Sequence, residues 1–378
     1  MKYFFIVILI IIALLFICTY FFVRKILAAF GADVRKKRII ALTVGITAAI
    51  SVAVMLAGGF GAIVILHIMA FELLVRLADL IIKKMCGDRY TGGFSLWKKI
   101  HSISLIPIVM TVAVMILGYV NMNNVVQTNY TVYTEKNIRG EGYRIALIAD
   151  VHYGVSLDRD ELHEKCREIS DKNVDAVVLC GDIVDNSTTA KGACEVFEAL
   201  GTIRSKYGIY YVFGNHDKPT SLMKGEFSEA ELESIIKSNG ITILEDNTVN
   251  ITDEFVIVGR ADKSIENESG EKRKEIKELI GIADKEDFIL TLDHQPNEYK
   301  ENGDAGTDLI LSGHTHAGQF FPVNLLMEVI PFNDAVYGHY DIDSDTEAIV
   351  TSGFAAWSYP VKTAAPSEYV IIDIKHKG

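Results

Sequence analysis

Positive charge is the scarcer sign in this 378-residue chain: 37 Lys and Arg face 49 Asp and Glu, a formal net charge of −12. That balance argues against nucleic acid as a partner, because binding a phosphate backbone needs cationic side chains. Cysteine is scarce too. Cys18, Cys86, Cys166, Cys180 and Cys194 are the only five, and no C-x-x-C spacing occurs. Three of them fall beyond residue 121, an odd number, which argues against a disulfide framework. No internal repeat and no low-complexity tract is present.

The charge is unevenly spread. Residues 1–120 hold 13 basic and 4 acidic side chains; the remainder holds 24 and 45. A basic apolar part and an acidic part are different objects. Four apolar runs in the first part reach the roughly 20 residues that cross a bilayer. They are Tyr3–Val23, Ile39–Ala57, Phe60–Ile82 and Ile100–Val120. The first is too long for a signal peptide and lacks a small-x-small cleavage site, so it reads as an uncleaved anchor. Residues 1–120 are thus expected to be a four-helix transmembrane domain (3–23, 39–57, 60–82, 100–120). A linker and edge strand follow at 121–142, then one domain at 143–378.

Basic residues flank the spans on one side: Arg24 to Arg38 after the first, and Lys83 to Lys99 before the fourth. The turn at Gly58-Gly59 carries none. Positive charge stays cytoplasmic, so everything after Val120 is expected outside, on an integral protein of the plasma membrane. Free thiols there suit a bacterial surface better than an animal secretory lumen. Glu72, Arg76 and Asp79 share one face of the third span. An ion-paired stripe that packs the helices is the expectation, with a headgroup or regulatory pocket as the alternative. His67 on the same span reads as a packing residue.

Beyond residue 142, continuous apolar runs alternate with helical stretches. The runs are Tyr143–Ala149, Val174–Cys180 and Ile209–Phe213. The helical stretches lie near Asp158–Ser170, Thr189–Ser205 and Ser228–Ser238. This pattern marks strands covered on both faces. Shorter β-rich pieces follow at Ile241–Leu244, Thr248–Ile251 and Phe255–Val258. Glu271–Leu279 reads as a solvated helix. Phe288–Leu292, Leu309–Leu311, Ala348–Thr351 and Glu368–Ile374 complete the strands. Five runs end in polar clusters: Asp150-x-His152, Gly181-Asp182-x-x-Asp185, Gly214-Asn215-His216-Asp217, His294, and Gly313-His314-x-His316. Functional groups of open α/β folds gather at the carboxyl ends of strands. Mixed carboxylate, imidazole and amide donors suit Mn, Fe or Zn. Seven ligands are too many for one ion; two ions sharing a carboxylate would use them all. Such pairs, about 3.5–4 Å apart, activate water and clamp phosphoryl oxygens.

These clusters resemble the calcineurin-like metallophosphoesterase superfamily, over most of residues 143–374. The stretch Ser312–Gln319 and the tail from Thr351 through Trp357 and Pro366 to Glu368 look like its membrane-associated bacterial branch, typified by YaeI and YkuE. The resemblance implies an αββα sandwich of two mixed sheets flanked by helices, behind a multi-span anchor. It implies two divalent ions, manganese first and iron or zinc as options. One would take Asp150, His152 and His316, the other Asn215, His294 and His314, with Asp182 bridging. His216 would be the general acid, oriented by Asp185. Asp217 would be structural. The phosphate-gripping arginine of protein phosphatases is replaced by Asn186, which counts against phosphoproteins.

The implied activity is a metal-bridging hydroxide attacking a phosphodiester, of a lipid or envelope substrate. Alternatives are a phosphomonoesterase on small soluble esters and a non-catalytic metal-binding membrane sensor or scaffold. His339 reads as a structural loop residue, and Trp357 either lines the cleft mouth or packs. Substrate identity and oligomeric state are not legible.

Overall fold

The apolar runs become helices because backbone polar groups in a nonaqueous setting must be satisfied within the element. In the computed structural model these are α1 (Lys2–Ala29), α2 (Lys37–Leu56), α3 (Phe60–Cys86), α4 (Ser95–Ser102) and α5 (Leu105–Asn123). The structure describes residues 2–377 except 57–58, 88–89, 91–94, 219–225, 269, 271, 282, 285 and 331. Gly58 of the charge-free turn, Arg89 and Glu271 therefore lie outside the described residues. So do most side chains of the first expected span, inside α1. Among the described residues, three helices are long and apolar enough to cross a membrane: Lys37–Val54 of α2, α3 and α5. The last begins at Leu105 rather than Ile100. Ser104 takes a positive φ of 53°, and Pro107 then sits in the first turn, where its missing N–H costs nothing.

The charged stripe on α3 is internally paired. Glu72 accepts from Lys25 (2.6 Å), Arg76 (2.8 Å) and Ser104 (2.9 Å). Asp79 accepts from Tyr90 (2.5 Å) and Trp97 (2.8 Å) and pairs with Lys83 at 2.7 Å. Pairing of this kind makes a charge at membrane depth tolerable. His67 Nδ1 lies 2.8 Å from Ile63 O.

The chain divides into two units between Leu117 and Gly118, so the last residues of α5 belong to the second unit. Among the described residues, that unit holds twelve strands in two six-stranded sheets, ordered β1-β12-β2-β3-β4-β5 and β10-β11-β9-β8-β7-β6. The first sheet comprises β1 (Val126–Thr134), β2 (Tyr143–Ile148), β3 (Ala176–Cys180), β4 (Ile209–Val212), β5 (Ile241–Ile243) and β12 (Glu368–His376). The second comprises β6 (Asn247–Thr252), β7 (Phe255–Gly259), β8 (Phe288–Leu292), β9 (Leu309–Ser312), β10 (Gly338–Asp341) and β11 (Glu347–Val350). Strand alternation sorts side chains between two cores. Ile145 and Leu147 of β2 join Leu290, Leu292 and Leu311 between the sheets. Ala146 and Ile148 face Leu162, Phe197 and Leu232 under the outer helices.

Those helices are α6 (Arg159–Ser170), α7 (Ala190–Gly201) and α8 (Glu229–Ser238). Side chains of Asp158, Thr189 and Ser228 cap them, the first and last in reciprocal capping boxes, as their sequences dictate. α9 (Ile265–Glu268), α10 (Ile276–Ile280), α11 (Tyr299–Ala305) and α12 (Val323–Val329) are short. The helix expected over Glu271–Leu279 shrinks to α10, because Arg273 is drawn into a buried ion-pair network instead.

One feature of register matters for function. β1 runs parallel to β12, with Val126 opposite Glu368. β12 runs antiparallel to β2, with Val370 opposite Leu147. The start of β1 therefore lies at the end of β2, the rim that carries Asp150. The stretch read as a linker contains the end of α5 and all of β1, with only Asn124 and Val125 between them. Two strand spacings, about 10 Å, separate β1 from β2 across the sheet.

Candidate metal centre

Three of the five clusters leave their strands through sharp turns that the backbone records. Asp150, His152, Asp182, His314 and His316 all have positive φ, between 40° and 71°. Such conformations cost non-glycine residues of order 1–3 kcal/mol each and concentrate at functional sites. The turns are laced together. Asp150 N–H donates to Gly181 O, and His152 N–H to Asp182 O. Gly313 N–H donates to His294 O, and His314 N–H to both oxygens of Asp150. A side chain at Gly181 would put its Cβ 2.5 Å from His294 Nδ1. One at Gly214 would collide with Asp182 Oδ1.

Residues far apart in sequence meet as two groups. Ligand atoms of Asp150, His152 and His316 lie within 4.8 Å of one another, and so do those of Asp182, His294 and His314. His152 Nε2 and His316 Nε2 are 3.2 Å apart. Asp182 Oδ2 stands 3.2 Å from His294 Nε2 and 3.8 Å from His152 Nε2, between the groups. Asn215 Oδ1 lies 2.8 Å from His314 Nδ1. All seven expected ligands thus gather at one rim.

Their chemistry fits divalent cations. His294 Nδ1 faces Cys180 O at 2.8 Å, so that nitrogen carries the proton and Nε2 is left as a lone-pair donor aimed inward. Nε2 is buried without a hydrogen-bond partner. Burial raises Asp150 to about 6, against the pull of nearby histidines. Burial lowers His314 to about 4 and holds His316 well below the usual imidazole range. Against burial, Asp185 and Asp182 hold His152, and Asp182 and Asp150 hold His294, above the usual imidazole range; a divalent cation would replace those protons as the counter-charge to the buried carboxylates.

Residues 143–318 match the profile of the calcineurin-like phosphoesterase family. They form a calcineurin-like metallophosphoesterase domain. A "transmembrane protein with metallophosphoesterase domain" from Danio rerio is 28% identical over 246 residues, covering 62% of this chain and 53% of its own length. An uncharacterized metallophosphoesterase from Campylobacter jejuni is 26% identical over 263 residues, covering 69% and 67%. YkuE of Bacillus subtilis, likewise named an uncharacterized metallophosphoesterase, is 25% identical over 264 residues, covering 68% and 88%. This chain spans only 53% of the length of the first of these relatives and 67% of the second. Among solved structures, a dimetal phosphatase from Danio rerio aligns with a TM-score of 0.38 and 13% identity, over 56% of this chain and 88% of that one.

Around the metallophosphoesterase centre, one expectation needs correcting. Asp185 was paired with His216 on sequence resemblance. Its Oδ2 lies instead 3.3 Å from His152 Nδ1. The cause is the turn 185–188. Asp185 N–H donates to Thr188 Oγ1, and Asp185 Oδ1 accepts from the Ser187 N–H (2.7 Å) and hydroxyl (2.6 Å). That turn aims the carboxylate at the β2 loop. Burial opposes its ionisation, but His152 and Ser187 outweigh burial and hold it at about 2. Asp185 is therefore placed to fix His152 with Nε2 inward. Asp185→Asn is expected to weaken metal binding about 10–100-fold, the usual effect of losing such a partner. Competition with a metal-sensing chelator dye would measure it.

Asp217 binds the backbone rather than the centre. Its carboxylate accepts from N–H groups of Asp182, Ile183, Val184 and Gly214, at 2.6–3.1 Å, which locks the β3 turn to the β4 turn. His216 donates its N–H to Asp182 Oδ1 at 2.8 Å. Its ring stands free of the ligand groups, 5.6 Å from the ring of His152 and 5.5 Å from that of Trp357. Burial lowers its pKa. His216 and Trp357 both line a 290 Å³ cleft whose floor includes His152, Asp182, His314 and His316. Trp357 thus lies at the cleft mouth. His339 sits on β10, paired with the half-buried Glu347 and apart from the cleft.

Two supports escaped the sequence reading. Arg260 and Arg273 both grip Asp293, at 3.1 and 3.0 Å, and share Glu298. This buried network holds the residue before His294. No local pattern announces it; an isolated Arg in a charged stretch looks solvated. Removing one partner of a buried pair costs about 3–5 kcal/mol, so Arg273→Met is expected to lose stability of that order in urea unfolding of the full chain. The second support is Lys362, fully buried. Its ammonium donates to Ser352 O (2.6 Å) and Gly353 O (3.0 Å). That loop wraps Asp150 and His316: a Cβ at Gly353 would lie 2.9 Å from Asp150 Cβ and 3.0 Å from His316 Nδ1. Burial lowers Lys362 to about 7.

Proposed function

We propose that this protein is a membrane-anchored, two-metal phosphoesterase that hydrolyses a phosphodiester of an amphiphilic substrate at the bilayer surface. The observation that carries the hydrolytic half is the meeting of Asp150, His152 and His316 with Asp182, His294 and His314 at one rim. Asn215 would complete the second set. A bound divalent pair, manganese first with iron or zinc also suited to these donors, would activate water and offset charge on the phosphoryl oxygens.

The chain's own residues do the rest. Asp182 would serve both ions. Asp185 holds His152 in place. His216 reaches into the cleft without joining either ligand group, the position of a group that protonates the departing alkoxide. Trp357, Phe320 and Met327 give the cleft an apolar side. Among the described residues lining it there is no Lys or Arg. A dianionic monoester would find no cationic side chain there, so the singly charged diester is the better match.

The amphiphilic half rests on topology. α5 is apolar enough to cross a membrane, and two residues after it ends β1 begins at the rim of the ligand groups. A substrate held in the bilayer is then within reach of the cleft. The basic flanks of the spans support an extracytoplasmic domain on the plasma membrane; labelling of Asn129→Cys in intact cells checks that orientation.

The test uses the full chain in vesicles, loaded with manganese. A phospholipid diester in the same vesicles should turn over faster than bis-p-nitrophenyl phosphate, and p-nitrophenyl phosphate should be the slowest. Faster hydrolysis of the soluble monoester would overturn the diester assignment. Equal rates on lipid and soluble diesters would overturn the amphiphilic one.

A further inference from the structure

α12 breaks the rule that a surface helix is polar outward. None of its seven residues is buried, and only Asn324 and Glu328 are polar. Leu325 and Leu326 are each 54% exposed, Val329 79% and Phe332, just beyond, 73%. A contiguous exposed apolar surface of this kind marks an interaction site. The inward residues Val323 and Met327 line the metal cleft. The helix is therefore apolar on both sides, one toward the cleft and one toward whatever lies outside.

Its position names the occupant. The segment before α12 is tied to a strap, residues 357–363. Phe321 N–H donates to Thr363 Oγ1, and Thr363 N–H to Gln319 O, both at 2.9 Å. Gln319 Nε2 donates to Trp357 O at 2.9 Å. The same strap grips the end of α5. Lys362 N–H donates to Gly118 O at 3.0 Å, and Asn121 Nδ2 to Lys362 O at 3.1 Å. Contact is so close that a Cβ at Gly118 would lie 2.6 Å from both Val361 Cγ2 and Thr363 Cγ2. Next to it Tyr119 and Val120 are exposed, with a tyrosine where such side chains anchor membrane helices at the headgroup level. The segment that leads into α12 is thus linked, through one hydrogen-bonded strap, to residues 118–121, where a membrane-spanning helix ends.

We infer that α12, with Ile330 and Phe332, is an interfacial helix whose outer face is embedded in the lipid bilayer. A helix with apolar residues outward lies in the headgroup–acyl boundary, buried by about 5–10 Å. Its inner residues Val323 and Met327, with Phe320 and Trp357, then form a continuous apolar path from the acyl region to the ligand groups. The embedding stands on geometry alone; the path as a substrate route rests on the phosphoesterase reading above.

The test uses the full chain with Cys18→Ser, Cys86→Ser and Cys194→Ser, reconstituted in phosphatidylcholine vesicles. An environment-sensitive fluorophore is attached at Val329→Cys or, separately, at Lys377→Cys, which lies past the far end of β12. Lipids with a nitroxide high on the acyl chain should quench the Val329 label about twofold or more and leave the Lys377 label unchanged. Iodide in the aqueous phase should do the reverse. Quenching of the Val329 label by iodide and not by lipid would overturn the inference. So would insensitivity to both, which would mean that protein, a second copy included, covers the helix. In a second arm, the exposed pair Leu326→Asp and Val329→Asp should slow turnover of the vesicle-borne diester about tenfold and leave bis-p-nitrophenyl phosphate hydrolysis unchanged. Lipid quenching with no turnover of any ester would leave the embedded helix standing and overturn the phosphoesterase reading.

Discussion

Asp182→Ala should reduce phosphoester turnover about 10²–10⁴-fold and lower the metal content of the purified protein from two ions per chain to one or none. The carboxylate is buried and reaches both groups, 3.2 Å from His294 Nε2 and 3.8 Å from His152 Nε2. Removing an anion from among buried cations costs about 3–5 kcal/mol, and each 1.4 kcal/mol is a factor of ten in rate. Asp182→Asn separates charge from shape. It can still accept the His216 N–H, so the turn survives while the charge is lost. A metal content that falls in both variants, measured by elemental analysis, assigns the effect to charge. Retention of two ions by Asp182→Asn would mean that the carboxylate does not serve both.

His216→Ala should lower kcat by about 10²–10⁴-fold, the range for loss of a general acid, with both ions retained. Its ring lies beside the ligand groups without belonging to either, and only its backbone N–H is engaged with Asp182. The signature is leaving-group dependence. p-Nitrophenolate departs without a proton, so its diester should lose least. An alkyl diester, whose alkoxide must be protonated, should lose most. Equal losses on both, or loss of metal, would make His216 a structural residue instead.

How far the sequence foretold this arrangement depends on how local each cause is. The meeting of the seven candidate ligands at one rim was legible because each follows a buried strand, and residue type plus strand ending are local facts. The capped helices were legible for the same reason: Asp158 and Ser228 each have a glutamate three residues on. Long-range partners were not. Asp185 was expected beside His216, and its turn aims it at His152, 33 residues earlier in the chain. Lys362 gives no sign in sequence that it is buried under the carbonyls of Ser352, Gly353 and Ala355, and Arg273 looks like any charge in the stretch Glu271–Leu279. The apolar Val323–Val329 segment was passed over because seven residues are too few for a helical period to stand out. The end of α5 and the start of β1 read as a polar linker, since asparagine and threonine suit a linker as well as a helix end and an edge strand. Only the pairing of β1 with β12, and of β12 with β2, reveals that β1 starts at the ligand rim.

The most direct test of the two-metal centre is anomalous scattering at the manganese edge from crystals of the loaded protein. Two peaks are expected, one among Asp150, His152 and His316 and one among Asn215, His294 and His314, with Asp182 reaching both. A single peak, or peaks only at the His339, Asp341 and Glu347 group, would contradict it.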